Sequence, residues 1–139
     1  PTTAAPTTLA VESVSVLGSD IAEVGETEQY VSTFLPSGAA TQADVIWSVV
    51  NGTGEATISN LGVLTPVAPG TVTVKATVKG VDGTLAVTLI QSVESVTVAG
   101  PDTVELGSDG EYTYQVVPSD STVSEVVWSV IAGTGSATI

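Results

Sequence analysis

The sequence predicts an all-β chain folded as a two-layer Greek-key β-sandwich, and three observations carry that prediction. Apolar and polar residues alternate with period two over most of the chain. The hydrophobic fraction of 42% comes mostly from Val, Ala, Leu and Ile, with aromatics only 4% of the chain, so the core consists of small β-branched residues around a few large anchors. Gly and Pro recur at short intervals, and no segment carries the apolar stripe of a helix.

Taken in order, the first strand covers 12–17 and turns Val14 and Val16 to one side; a short piece at 21–24 follows and ends at Gly25. From 27 to 35 the residues Tyr30, Ser32 and Phe34 share a face, and Pro36, which lacks the N–H a ladder needs, ends the strand. Val45, Trp47 and Val49 alternate next, which puts Trp47 at the centre of the sandwich. Burying its indole is worth roughly 4 to 6 kcal/mol as an upper bound, so Trp47→Ala is expected to unfold the unit. Asn51 and Gly52 signal a hairpin into a strand at 55–58, and 62–65 forms another short strand. Pro69 and Gly70 mark a bend before 71–78, where Val72, Val74 and Ala76 face inward and Lys75 faces water. Asp82 and Gly83 read as a tight turn, and Leu85, Val87 and Leu89 close the unit. The total is about seven short antiparallel strands.

The chain then repeats itself. VESVSVLGSDIAEVGETEQY from Val11 returns at Val93 as VESVTVAGPDTVELGSDGEY, and VIWSVVNGTGEATI returns as VVWSVIAGTGSATI; 22 of the 47 residues at 93–139 are identical to their counterparts. Tyr112, Trp128 and Gly107 repeat Tyr30, Trp47 and Gly25. The expected organisation is a Pro/Thr-rich linker or tail at 1–10, a first module at 11–91, and at 92–139 the N-terminal part of a second module. That second part is either truncated or completed by strands from elsewhere, including a neighbouring chain. Only Gln91 and Ser92 separate the copies, which predicts a stiff end-to-end arrangement.

The order VxSVxV, DxxExGxxxxY, a strand ending in Pro, VxWSV, GTGxATI and GVLTPVAPGTVTVKATV resembles the bacterial immunoglobulin-like domain, group 2. Gly25, Trp47 with Ser48, and Gly70 before Val72 stand at the family's recurring marks. The resemblance implies an immunoglobulin-like Greek-key β-sandwich, here as two modules in tandem with the second incomplete. It also implies a structural or adhesive setting in bacterial surface proteins or phage virions, hence an extracellular, cell-surface or virion-surface location, and no conserved catalytic residue.

Composition narrows the function further. Lys75 and Lys79 are the only cations against fifteen carboxylates, a net charge of −13, so polyanions such as nucleic acid and acidic membranes are repelled. His, Cys and Met are absent, which removes disulfides, thiol and imidazole chemistry and the usual nucleophile systems, and no enzyme or cofactor is expected. GTG at 52–54 and 133–135 lacks the Lys and helix of a phosphate loop and reads as a turn. Asn51 heads an Asn-Gly-Thr glycosylation pattern that turn chemistry already explains, and the second copy has Ala132 there. Asp20 with Glu23, and Asp102 with Glu105, recur near the joint and are weak calcium candidates, since two carboxylates fall short of the six to eight oxygens calcium takes. The expected function is a non-catalytic module that spaces, stiffens or decorates a surface assembly, with neighbouring modules or subunits as partners. The alternative is recognition of a glycan or host surface protein by the loop tips at 37–42 and 119–124. These tips carry no aromatic face for sugar stacking.

Overall fold

The structure is a computed structural model that describes residues 9–139, so the tail at 1–10 lies outside the described residues except for Leu9 and Ala10. Nine strands form between residues 13 and 90: β1 (Ser13–Leu17), β2 (Ile21–Glu23), β3 (Glu28–Gln29), β4 (Val31–Leu35), β5 (Val45–Asn51), β6 (Glu55–Ile58), β7 (Val63–Ala68), β8 (Gly70–Val78) and β9 (Val81–Ile90). They make two layers. One is a four-stranded sheet ordered β2-β9-β8-β5; the other combines the β1-β4 pair with the sheet β3-β7-β6, β3 running into β4 through Tyr30. Neighbours distant in sequence, β4 beside β1 and β8 beside β5, are the crossovers of an immunoglobulin-like sandwich.

Alternation sets the faces as the sequence predicts. β8 buries Val72, Val74, Ala76 and Val78 and turns Thr71, Thr73, Lys75 and Thr77 outward. Val14 and Val16 of β1, Ala56 of β6, Leu64 of β7 and Val87 and Leu89 of β9 complete the core. Each of these larger side chains contributes about 1.5 to 3 kcal/mol when fully buried.

The centre of this core is Tyr30, 1% exposed, and not Trp47. Trp47 is partly buried and packs against the cluster from its margin, with its indole over Gly62, where a Cβ would come within 2.9 Å of the ring. The reason is topological: β5 is the edge strand of its sheet, so a side chain on it reaches the rim of the sandwich, whereas Tyr30 enters at the junction of two strands. Trp47→Ala is therefore expected to cost about 3 kcal/mol, the low end of the range for aromatic-to-alanine changes, without unfolding the sandwich. Urea unfolding followed by circular dichroism measures it.

Other departures from the sequence reading have local causes. The strand expected at 27–35 breaks at Tyr30, whose N–H donates to the Gly62 carbonyl at 2.8 Å. β7 runs through Pro66 to Ala68; β3 pairs only with Val63 and Leu64, so the missing N–H of Pro66 falls where that side of β7 has no neighbour. The hairpin between β8 and β9 turns at Lys79 and Gly80, both at positive φ, and Asp82 and Gly83 lie inside β9. One pair, β2 with β9, is parallel, from Ile21↔Thr88 to Glu23↔Ile90. Two single 3-10 turns, Ser37–Ala39 and Gln42–Asp44, stand where no helical backbone is expected, the second closed by a Thr41–Asp44 capping box.

The second copy reproduces the local geometry of the first over its opening half. β10 (Ser95–Ala99) pairs antiparallel with β11 (Thr113–Val117) in a register that is the β1-β4 register shifted by the repeat offset, Ser95↔Val117 matching Ser13↔Leu35. The strand expected around Val126, Trp128 and Val130 does not form. In the first copy, β5 takes its ladder from β8 alone, whose counterpart lies outside residues 93–139.

Candidate functional site

Two places bring together the residues singled out in the sequence: the tyrosine corners and the joint between the copies. At the first corner the Tyr30 hydroxyl donates to the Ser19 carbonyl at 2.5 Å, and at the second Tyr112 donates to the Pro101 carbonyl at 2.7 Å. Both rings need a glycine beside them, because a Cβ on Gly18 or Gly100 would fall 2.4 or 2.3 Å from the ring. Gly25 and Gly107 serve differently. Their φ values of 97° and 89° are left-handed, with open space where a Cβ would stand, so backbone conformation alone calls for glycine there.

The Tyr30 phenol is pushed up to about 12, first by burial and then by the carboxylates of Glu28 and Asp20. The folded protein thus holds this proton more tightly than the unfolded chain, whose tyrosine titrates near 10. The stability it contributes is complete below pH 10 and is lost as pH rises from about 10 to about 12. Tyr30→Phe is expected to flatten the fall in unfolding free energy across that window, which denaturant titrations at stepped pH would measure.

At the joint, Glu23 pairs with Ile90, and the Val24 N–H donates to the Ile90 carbonyl at 2.8 Å. The Ser92 hydroxyl donates to the Glu23 carboxylate, tying the first residues beyond β9 back to β2. From the other side, the Thr122 N–H donates to the Gln91 carbonyl at 2.8 Å and the Gln91 N–H donates to the Thr122 hydroxyl at 3.1 Å. The two residues between the copies are thus held from both directions. The sequence places Ser92 at the joint and Thr122 in the loop tip 119–124 expected as a recognition surface, but it does not show that the two sites are tied together. Thr122 aligns with Thr41, which caps its own 3-10 turn, so the repeat gave no sign of a changed role.

The remaining candidates do not assemble a centre. Asp102 and Glu105 are both exposed; Glu105 opens a turn in which the Ser108 N–H donates to its carbonyl at 3.0 Å, and Asp102 lies ahead of that turn. Among the described residues no three His, Cys, Asp or Glu side chains converge. The loop tip at 37–42 is tied down, Gln42 Nε2 donating to the Ser32 carbonyl at 2.9 Å and Lys79 Nζ to the Ala39 carbonyl at 2.8 Å. Asn51 Oδ1 accepts from the Ala56 N–H at 3.1 Å, the turn role expected of it. Among the described residues no helix is long and apolar enough to cross a membrane.

The family model for the bacterial Ig-like domain (group 2) matches residues 10–89. The chain matches no curated protein.

Proposed function

This chain belongs to the bacterial Ig-like domain (group 2) family, and on that premise we propose that it is a non-catalytic module that spaces and stiffens a larger surface assembly, such as a bacterial cell-surface stalk or adhesin or a phage virion. The observation that carries the reading is the parallel pairing of β2 with β9. The strands near the two ends of the sandwich lie side by side and run the same way. Tension applied through the chain ends pulls them past one another and loads their hydrogen bonds together, in shear, whereas an antiparallel hairpin opens one bond at a time. The Glu23–Ser92 contact continues this reinforcement into the joint, and a surface with 15 carboxylates and 2 cations keeps such modules apart in solution.

Force spectroscopy of the whole chain tests the reading. Val24→Pro removes the N–H that donates to Ile90, a bond worth about 1 kcal/mol at equilibrium. It is expected to lower the peak unfolding force well beyond what that small loss produces when placed in a loop. An unchanged peak force contradicts a load-bearing role for the β2-β9 pair.

A further inference from the structure

We propose that β5 of the first module is a docking edge for a second molecule of this chain, paired antiparallel along β5 itself, so that modules associate side by side. β5 is the last strand of the sheet β2-β9-β8-β5 and pairs with β8 alone. That ladder fixes which of its backbone groups are spent. The Gly52 N–H donates to the Thr71 carbonyl at 3.0 Å, and bonding alternates along an antiparallel pair, so Val50, Ser48 and Ile46 bond to Thr73, Lys75 and Thr77. The β8-β9 hairpin agrees: its two-residue turn makes Val78↔Val81 a bonded pair, which assigns Val72, Val74, Ala76 and Val78 to β9 and leaves the alternate residues of β8 to β5. Trp47, Val49 and Asn51 therefore aim both N–H and C=O away from the sheet. Val45 spends its N–H on the Gln42 carbonyl and offers its C=O.

Sheet edges are ordinarily blunted by charge, proline, brevity or a bulge, because an open row of N–H and C=O groups is a template for another strand. The other edges of the two main sheets follow that rule. β2 has three residues and ends in Glu23, β3 has two and begins with Glu28, and β6 begins with Glu55 at a break in register. β5 has seven residues, VIWSVVN, with no charge, proline or bulge. Its Ile46 and Val50 stand on the outer face, 66% and 57% exposed.

The strand is complementary to itself. Only the register centred on Ser48 pairs all seven residues with a second β5, and it sets free groups against free groups: Trp47 exchanges backbone bonds with Val49 of the second molecule, and the Asn51 N–H reaches the Val45 carbonyl. On the outer face Ile46 meets Val50 and the small Ser48 meets its own counterpart; on the inner face Trp47 meets Val49, an aromatic and β-branched pair. Each contact except the central one occurs twice about the two-fold axis. Charge selects the same edge. The net charge of −13 repels a second molecule elsewhere, but β5 carries no carboxylate, and the chain's two cations lie on the next strand and its turn, Lys75 opposite Ser48 and Lys79 just past Val78. A seven-residue seam is about 24 Å long at about 3.4 Å per residue, less than a standard interface needs, so the pairing is weak and is best read by covalent capture.

The chain has no cysteine, so Ser48→Cys, Ile46→Cys and Val50→Cys are made one at a time in the full chain, and disulfide-linked dimers are followed by mass spectrometry in a glutathione redox buffer. Opposed residues that share no backbone bonds lie about 4.5 Å apart between Cα atoms, within the span of a disulfide. Ser48→Cys is expected to dimerise at least tenfold faster than Ile46→Cys or Val50→Cys alone, although Ile46 and Val50 are the more exposed positions. A mixture of Ile46→Cys and Val50→Cys is expected to give the mixed dimer at least tenfold over either symmetric one. Equal rates for the three variants overturn the proposal as random collision. Symmetric dimers led by Ile46→Cys or Val50→Cys overturn it as a different register or surface, and so does an absence of cross-linking at millimolar concentration. Self-association of the unsubstituted chain in the ultracentrifuge, without the preference for Ser48→Cys, assigns the contact to another surface and overturns it as well. β2 lies at the opposite edge of the sheet, so none of these results bears on the β2-β9 pair, and the mechanical reading stands or falls separately.

Discussion

Tyr30→Ala is expected to destabilise the sandwich by about 3 to 5 kcal/mol, enough to leave much of it unfolded at room temperature if its stability lies at the low end for small domains. The ring is almost wholly enclosed, lies against Gly18 in the turn between β1 and β2, and its hydroxyl bonds the Ser19 carbonyl. Its loss opens a cavity at the point where β3 passes into β4 and leaves that carbonyl without its donor. Tyr30→Phe keeps the ring and isolates the hydrogen bond, at about 1 kcal/mol. Tyr112→Ala is the control. Tyr112 makes the same bond to Pro101, yet it is exposed and has no covering layer, so its removal is expected to move the main urea transition by less than about 0.5 kcal/mol. Equal effects at Tyr30 and Tyr112 would mean that the ring matters for the corner itself and not for core packing.

Gly83→Ala is expected to cost about 3 kcal/mol although it adds a single methyl group. A Cβ on Gly83 would stand 2.3 Å from the Val14 carbonyl oxygen and 2.6 Å from its carbon, both backbone atoms of β1 that no rotamer change can move aside. The position lies in the ladder opposite Ala76, so the strain is steric and not conformational. Relief requires β1 to lift from β9, which uncovers Val14 and Val16. Gly80→Ala one turn away is a useful contrast: its Cβ meets nothing, and its cost arises only from the φ of 83°. Thermal unfolding of the two variants side by side is expected to place Gly83→Ala clearly lower.

These two positions also show what the sequence could convey. Face assignment was legible because it depends on period-two alternation alone: Val72, Val74 and Ala76 inward, Lys75 outward, and Tyr30 on the same face as Ser32 and Phe34 all follow from parity. Gly83 was read as a turn because glycine signals both turns and close backbone approach. Only the neighbouring layer, 69 residues away in sequence at Val14, decides between them. The real turn at Lys79 and Gly80 was overlooked because Lys is an uncommon residue at positive φ. Alternation with Val45 and Val49 puts Trp47 at the centre, whereas its burial is set by the edge position of β5, a property of sheet order that local sequence does not contain. The family was legible from the joint spacing of several motifs. The joint contacts of Ser92 and Thr122 were not, since they exist only between elements that sequence reasoning treats one at a time.

The central claim is that β2 and β9 clamp the sandwich so that it resists tension as one unit. Single-molecule stretching of the whole chain tests it most directly. The account predicts one dominant force peak that releases the 70 residues from Ile21 to Ile90 at once, a contour gain of roughly 240 Å at about 3.5 Å per residue. Extension in several small steps at low force, or a main peak releasing much less chain than this, would contradict it.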